Sequence, residues 1–154
     1  MEEIFKKIGE EVLEERQRYG RRRIVFETLA VVLVDIFVCV VELEQAISTD
    51  DPIEIRAAFG RLVGLTVLTL TSLDRGWCLR SPAHQRGRYE SPAALTKDLR
   101  MRMWVAVAYW HKYDARDTTM ALELVLKSAL QLASKLDFDV LMTLQAQRPA
   151  IVTW

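Results

Sequence analysis

Carboxylates, imidazoles, thiols and guanidiniums carry whatever chemistry this chain of 154 residues can perform. The two histidines, His84 and His111, stand apart from each other and from Cys39 and Cys78, so no metal-ligand spacing arises. There is no Gly-rich phosphate loop, no CxxC, no HExxH and no Gly-x-Ser-x-Gly. No catalytic residue, metal ligand or cofactor is therefore expected. Cys39 falls in the most apolar stretch and reads as a small core residue, whereas Cys78 falls in a loop; a disulfide between them has nothing for or against it.

The arginines are grouped. Lys+Arg and Asp+Glu are equal at 21 each, yet residues 1–15 balance to −4 and residues 16–23 to +5. The latter stretch, Arg-Gln-Arg-Tyr-Gly-Arg-Arg-Arg, holds Arg16, Arg18, Arg21, Arg22 and Arg23 with no acid. A second basic region surrounds Arg75, Arg80, Arg86 and Arg88, with Trp77 and Tyr89 interleaved and His84 among them. Guanidinium forks match phosphate oxygens, and aromatic rings among them suit sugars or bases. These nine arginines are the candidate nucleic-acid contacts. The competing reading pairs Arg16–Arg23 with Glu10, Glu11, Glu14 and Glu15 and leaves the second region as a solvated loop.

Helices must position these groups. Asp51-Pro52-Ile53-Glu54 puts a carboxylate at N-cap, proline at N1 and Glu at N3, a strong start signal. Ser91-Pro92, Asp114-Ala-Arg-Asp117 and Asp137-Phe-Asp139 are further starts. The punctuation predicts helices over 2–19, 23–48, 52–74, 92–113, 117–135 and 138–147. The runs Leu29-Ala-Val-Val-Leu-Val and Leu65-Thr-Val-Leu-Thr-Leu-Thr are rich in β-branched residues, but each lies in about 22 residues without a turn, long for a strand. The fold class expected is all-α, one domain over 1–154: a bundle of five to six helices with a long basic loop of about 17 residues between the third and fourth.

Apolar residues make up 51% and charged residues 27%, a globular balance large enough to bury about 70% of the unfolded surface. Helix 23–48 is apolar nearly all round and should be surrounded by other helices. Its acids Glu27 and Asp35 make a membrane span costly. The opening Met-Glu-Glu-Ile-Phe-Lys-Lys is not a signal peptide, so an intracellular or virion location is expected. Residues 1–22 read as a protruding N-terminal helix and 148–154 as an apolar tail. That tail, with Ile151 and Trp154, either folds back or docks on a neighbouring subunit, and Trp104 and Trp110 are further candidate oligomer contacts. The chain contains no asparagine, a depletion found in hot-adapted proteins.

Glu11-Val-Leu-Glu-Glu-Arg-Gln-Arg-Tyr-Gly20, Leu29-Ala-Val-Val-Leu-Val-Asp35, Ile55-Arg-Ala-Ala-Phe-Gly-Arg-Leu-Val63 and Thr71-Ser-Leu-Asp-Arg75 together resemble the frame of MazG-like nucleotide pyrophosphohydrolases. Leu132-Ala-Ser-Lys-Leu-Asp-Phe-Asp139 echoes that family's later helices. The resemblance implies Mg²⁺-dependent hydrolysis at acids on two facing helices, which here fall at Asp35, Val38, Ala58 and Arg61. Only Asp35 is a carboxylate, so the resemblance implies a degenerate site. In class alone, an arginine-segregated helical chain of this size is similar to the coat proteins of filamentous archaeal viruses. The expected function is thus a non-enzymatic, self-assembling subunit, homo- or hetero-oligomeric, that binds nucleic acid, DNA ahead of RNA. The alternatives are a degenerate MazG-like hydrolase and a helical protein–protein adaptor.

Overall fold

A computed structural model of the chain describes residues 1–74, 76–79 and 91–154. Among these are six α-helices and no strand: α1 (Glu2–Arg18), α2 (Leu29–Ser48), α3 (Pro52–Leu73), α4 (Pro92–His111), α5 (Ala115–Leu136) and α6 (Val140–Val152). A single 3₁₀ turn, Phe26–Thr28, leads into α2. No described helix is long and apolar enough to cross a membrane.

Four helices start where the sequence punctuation places them. The side chains of Asp51, Ser91, Asp114 and Asp139 each accept the backbone N–H three residues on, at 3.2, 3.2, 2.9 and 3.1 Å. Each such cap satisfies one of the N–H groups that the first helical turn leaves unpaired. Asp114, rather than Asp117, is the cap of α5, which accounts for that helix beginning two residues before the expected 117.

Helix α3 is the axis of the bundle and packs against α1, α2, α5 and α6, while α4 lies on α2 and α5. Its segment Leu62–Thr71 is buried on every side. The threonines there are no obstacle to a helix: Thr66, Thr69 and Thr71 each donate their hydroxyl to the carbonyl four residues back, at 2.7, 2.7 and 2.8 Å. A hydroxyl that would be orphaned in the core is thereby satisfied within its own helix. Helix α6 crosses α3 at close range because Gly60 offers no side chain. A Cβ there would lie 2.7 Å from the Thr143 carbonyl oxygen.

Two expectations are corrected. Residues 1–22 do not protrude: Phe5, Ile8 and Val12 are buried against the bundle, and α1 packs on α3 and α6. The stretch 148–154 does not follow a helix ending at 147: α6 runs through Pro149 to Val152 and buries Ile151 and Val152, so of its two readings it folds back on its own bundle. Helix α2 departs from its expected setting in the opposite sense. Although apolar nearly all round, it leaves Val31, Val34, Val38 and Val41 facing outward.

Candidate nucleic-acid interface

The first arginine cluster sits where α1 ends. Gly20, at φ +65°, closes the helix with paired hydrogen bonds, Arg21 N–H to the Arg16 carbonyl and Gly20 N–H to the Gln17 carbonyl, both 3.0 Å. This is the Schellman termination, which needs a left-handed residue that glycine supplies without steric cost. The chain then leaves without regular structure through Arg21–Val25 until Ile24, which is buried, anchors it.

The five arginines of this cluster divide into two kinds. Arg16 points inward, is 4% exposed, and forms no salt bridge with an Asp or Glu side chain among the described residues. One terminal nitrogen, Nη1, donates to the main-chain oxygens of Ile151, Val152 and Trp154 at 3.1, 3.4 and 2.8 Å. The other, Nη2, donates to the Arg22 carbonyl at 3.2 Å. Its guanidinium carbon lies 5.3 Å from the centre of the Trp154 ring. Arg16 therefore caps the C-terminus of α6, where unpaired carbonyls and the helix dipole both favour a cation. Burial, then the nearby Arg21 charge, holds its pKa below the usual arginine value. It is removed from the candidate phosphate contacts, because its donors are already engaged.

Arg18, Arg21, Arg22 and Arg23 are exposed, and none forms a salt bridge with a described residue. Of the four carboxylates that were to neutralise them, Glu11 and Glu15 have another partner, while Glu10 and Glu14 are exposed and form no salt bridge with a described residue. Arg148 of α6 reaches Glu11 at 3.1 Å and also pairs with Glu15, tying α6 to α1. These hydrogen bonds, with that to Glu15 the strongest influence, raise the Arg148 pKa.

Arg21, Arg22 and Arg23 form one wall of an open groove of about 730 Å³, and Val31 and Trp154 contribute to the others. The groove also contains Asp35, whose carboxylate accepts the indole N–H of Trp154. Trp154 and Ile151, read from sequence as candidate oligomer contacts, thus make intramolecular contacts. Ile151 is buried and Trp154 is clamped between Arg16 and Asp35. Trp110 is half-buried and donates its indole N–H to the Phe26 carbonyl at 2.8 Å, whereas Trp104 is largely exposed.

Of the second basic region, Arg75, Arg80, Arg86 and Arg88, with His84 and Tyr89, lie outside the described residues. Trp77, expected beside them as a stacking surface, is fully buried and donates to the Thr71 hydroxyl at 3.2 Å. It holds the start of this segment onto the bundle and offers no ring face to a base.

The positions that the hydrolase resemblance assigns to metal ligands do not converge as oxygen donors. Asp35 is engaged by Trp154, Val38 is exposed, Ala58 is buried, and Arg61 pairs with Glu42 at 2.6 Å. A hard dication requires several oxygens together, and among the described residues no group of three His, Cys, Asp or Glu side chains could hold a metal ion. Comparison of the chain with protein-family models, curated proteins and solved structures finds no match.

Proposed function

We propose that this protein is a non-enzymatic structural subunit that self-associates and holds nucleic acid, duplex DNA ahead of RNA, in the manner of a coat or nucleoprotein subunit. One observation carries the reading: Arg18, Arg21, Arg22 and Arg23 are exposed without a carboxylate partner among the described residues, while Glu11 and Glu15 beside them are committed to Arg148. Four cations within six residues cost repulsion unless an anion neutralises them, and a phosphate backbone supplies closely spaced charges with oxygens suited to guanidinium. Because the groove wall is arginine and its remaining lining is largely apolar, it suits backbone and sugar better than base edges. Binding should therefore be indifferent to sequence.

The arrangement around Asp35 supports the non-catalytic half. A carboxylate occupied by an indole N–H, with a paired arginine in the ligand frame, is poorly placed for Mg²⁺. The test is binding of the purified chain to a fluorescent DNA duplex, with electron microscopy of the same mixture. The wild type should bind and form regular assemblies, and Arg21→Ala/Arg22→Ala/Arg23→Ala should lose most of the binding. Mg²⁺-dependent hydrolysis of a nucleoside triphosphate, abolished by Asp35→Ala, would overturn the proposal.

A further inference from the structure

Val31, Val34, Val38 and Val41 follow one another at spacings of three, four and three, which is the seam of a heptad helix pair. In this chain the seam faces solvent: the four are 64, 61, 44 and 44% exposed. Alongside it, α4 presents Met101, Trp104 and Val105, again outward and on one helical face. The two rows are joined, since Phe37 of α2 meets Trp104 edge to face with ring centres 5.5 Å apart. Together the seven residues expose on the order of 700 Å², beyond the ~300–600 Å² patch of a typical monomer and near the ~800 Å² per partner of a standard interface.

The charges at the edge of this face decide what covers it. Glu42 is paired with Arg61 at 2.6 Å, Glu44 with Arg100 at 3.4 Å, and Asp98 with Arg102 at 2.8 Å. These three pairs carry no excess of either sign, and the charge of Arg21–Arg23, unpaired among the described residues, lies at the Val31 end of the face. A two-fold interface with the seams antiparallel sets the Val31 end of one copy against the Val41 end of the other, so the paired rims meet without net charge and the two Arg21–Arg23 clusters stay apart. A seam of one residue type is also self-complementary, as a two-fold contact requires.

We infer that the α2/α4 face binds a second copy of this chain, valine seam against valine seam, to form a four-helix layer across a two-fold axis. The inference rests on the self-association proposed above and names its surface. Val31 lines the arginine groove as well as the seam, so the guanidiniums of Arg21–Arg23 border the interface rather than lie beneath it.

The experiment is light-scattering mass measurement of the full chain over a concentration series. The variants Val34→Glu/Val38→Glu on α2 and Met101→Lys/Val105→Lys on α4 are run beside it, with circular dichroism on each. The wild type should be a dimer or a multiple of one, and both variants should fall to monomer mass with helicity retained, because all four substituted side chains are exposed in the single chain. A wild type that is monomeric at 100 μM or above overturns the inference, whether it remains free or sediments with anionic phospholipid vesicles. So does an assembly whose mass neither variant changes. The Arg21→Ala/Arg22→Ala/Arg23→Ala protein should keep wild-type mass. Loss of DNA binding with mass intact, or of mass with binding intact, therefore separates failure of one reading from failure of the other.

Discussion

Replacing Arg16 with methionine keeps the aliphatic stem and removes the cap of α6. Four donor contacts to main-chain oxygens disappear, at 2.8 to 3.4 Å. Counted as charged hydrogen bonds at ~1.5–3 kcal/mol each, they would suggest a loss of about 6–12 kcal/mol. That sum is too large for two reasons. The buried cation pays a desolvation penalty, visible in its lowered pKa, which methionine does not pay. The four oxygens also differ: Trp154 and Arg22 lie near solvent and can take water, and the Ile151 carbonyl still accepts the Trp154 N–H at 3.3 Å, so chiefly the Val152 carbonyl is left without a partner, at ~1–3 kcal/mol for a buried group. Adding a helix-end charge interaction of ~0.5–1 kcal/mol gives a net cost of about 2–3 kcal/mol. Urea unfolding of wild type and Arg16→Met should show it as a lower midpoint at unchanged slope. A double-mutant cycle with Trp154→Leu should return a coupling of about 0.5–2 kcal/mol from the stacked guanidinium. A loss below about 0.5 kcal/mol would refute the capping role and restore Arg16 to the exposed cluster.

Gly60→Ala should destabilise by about 1–2 kcal/mol in the same urea assay: overpacking against the Thr143 carbonyl costs ~1–3 kcal/mol, partly offset by the better helix propensity of alanine. The Cys39 thiol is pushed up to about 11, chiefly by burial, so the folded state holds its proton more tightly than the unfolded state does. The stability this contributes is complete below pH ~9 and is lost as pH rises towards 11. Cys39→Val should lose less stability than the wild type over that interval, as measured by urea midpoints at pH 8 and pH 10.5. Equal declines would count against it.

Most of the fold was legible because its signals are local. Asp51, Ser91, Asp114 and Asp139 announce their helices within four residues. The errors arise where a residue's partner is distant in sequence. Nothing local distinguishes Arg16 from Arg18, because the difference is made by carbonyls more than 130 residues away. Glu11 and Glu15 looked like partners for the arginines beside them, but α6 brings Arg148 to them instead. Trp77 read as a loop aromatic because its burial depends on α3 passing beneath it, with Thr71 placed to accept its indole N–H. The outward valine seam was hidden by the apolarity of α2 as a whole. Apolarity along a helix does not say which of its faces the rest of the chain covers.

Whether the free guanidiniums meet a phosphate backbone is read most directly from the salt dependence of duplex binding. Each phosphate neutralised contributes about −0.9 to the slope of log affinity against log salt concentration. Arg21→Ala/Arg22→Ala/Arg23→Ala should therefore make the slope shallower by about 2.7. A triple variant that keeps the wild-type slope and affinity would contradict the assignment of these arginines to nucleic acid.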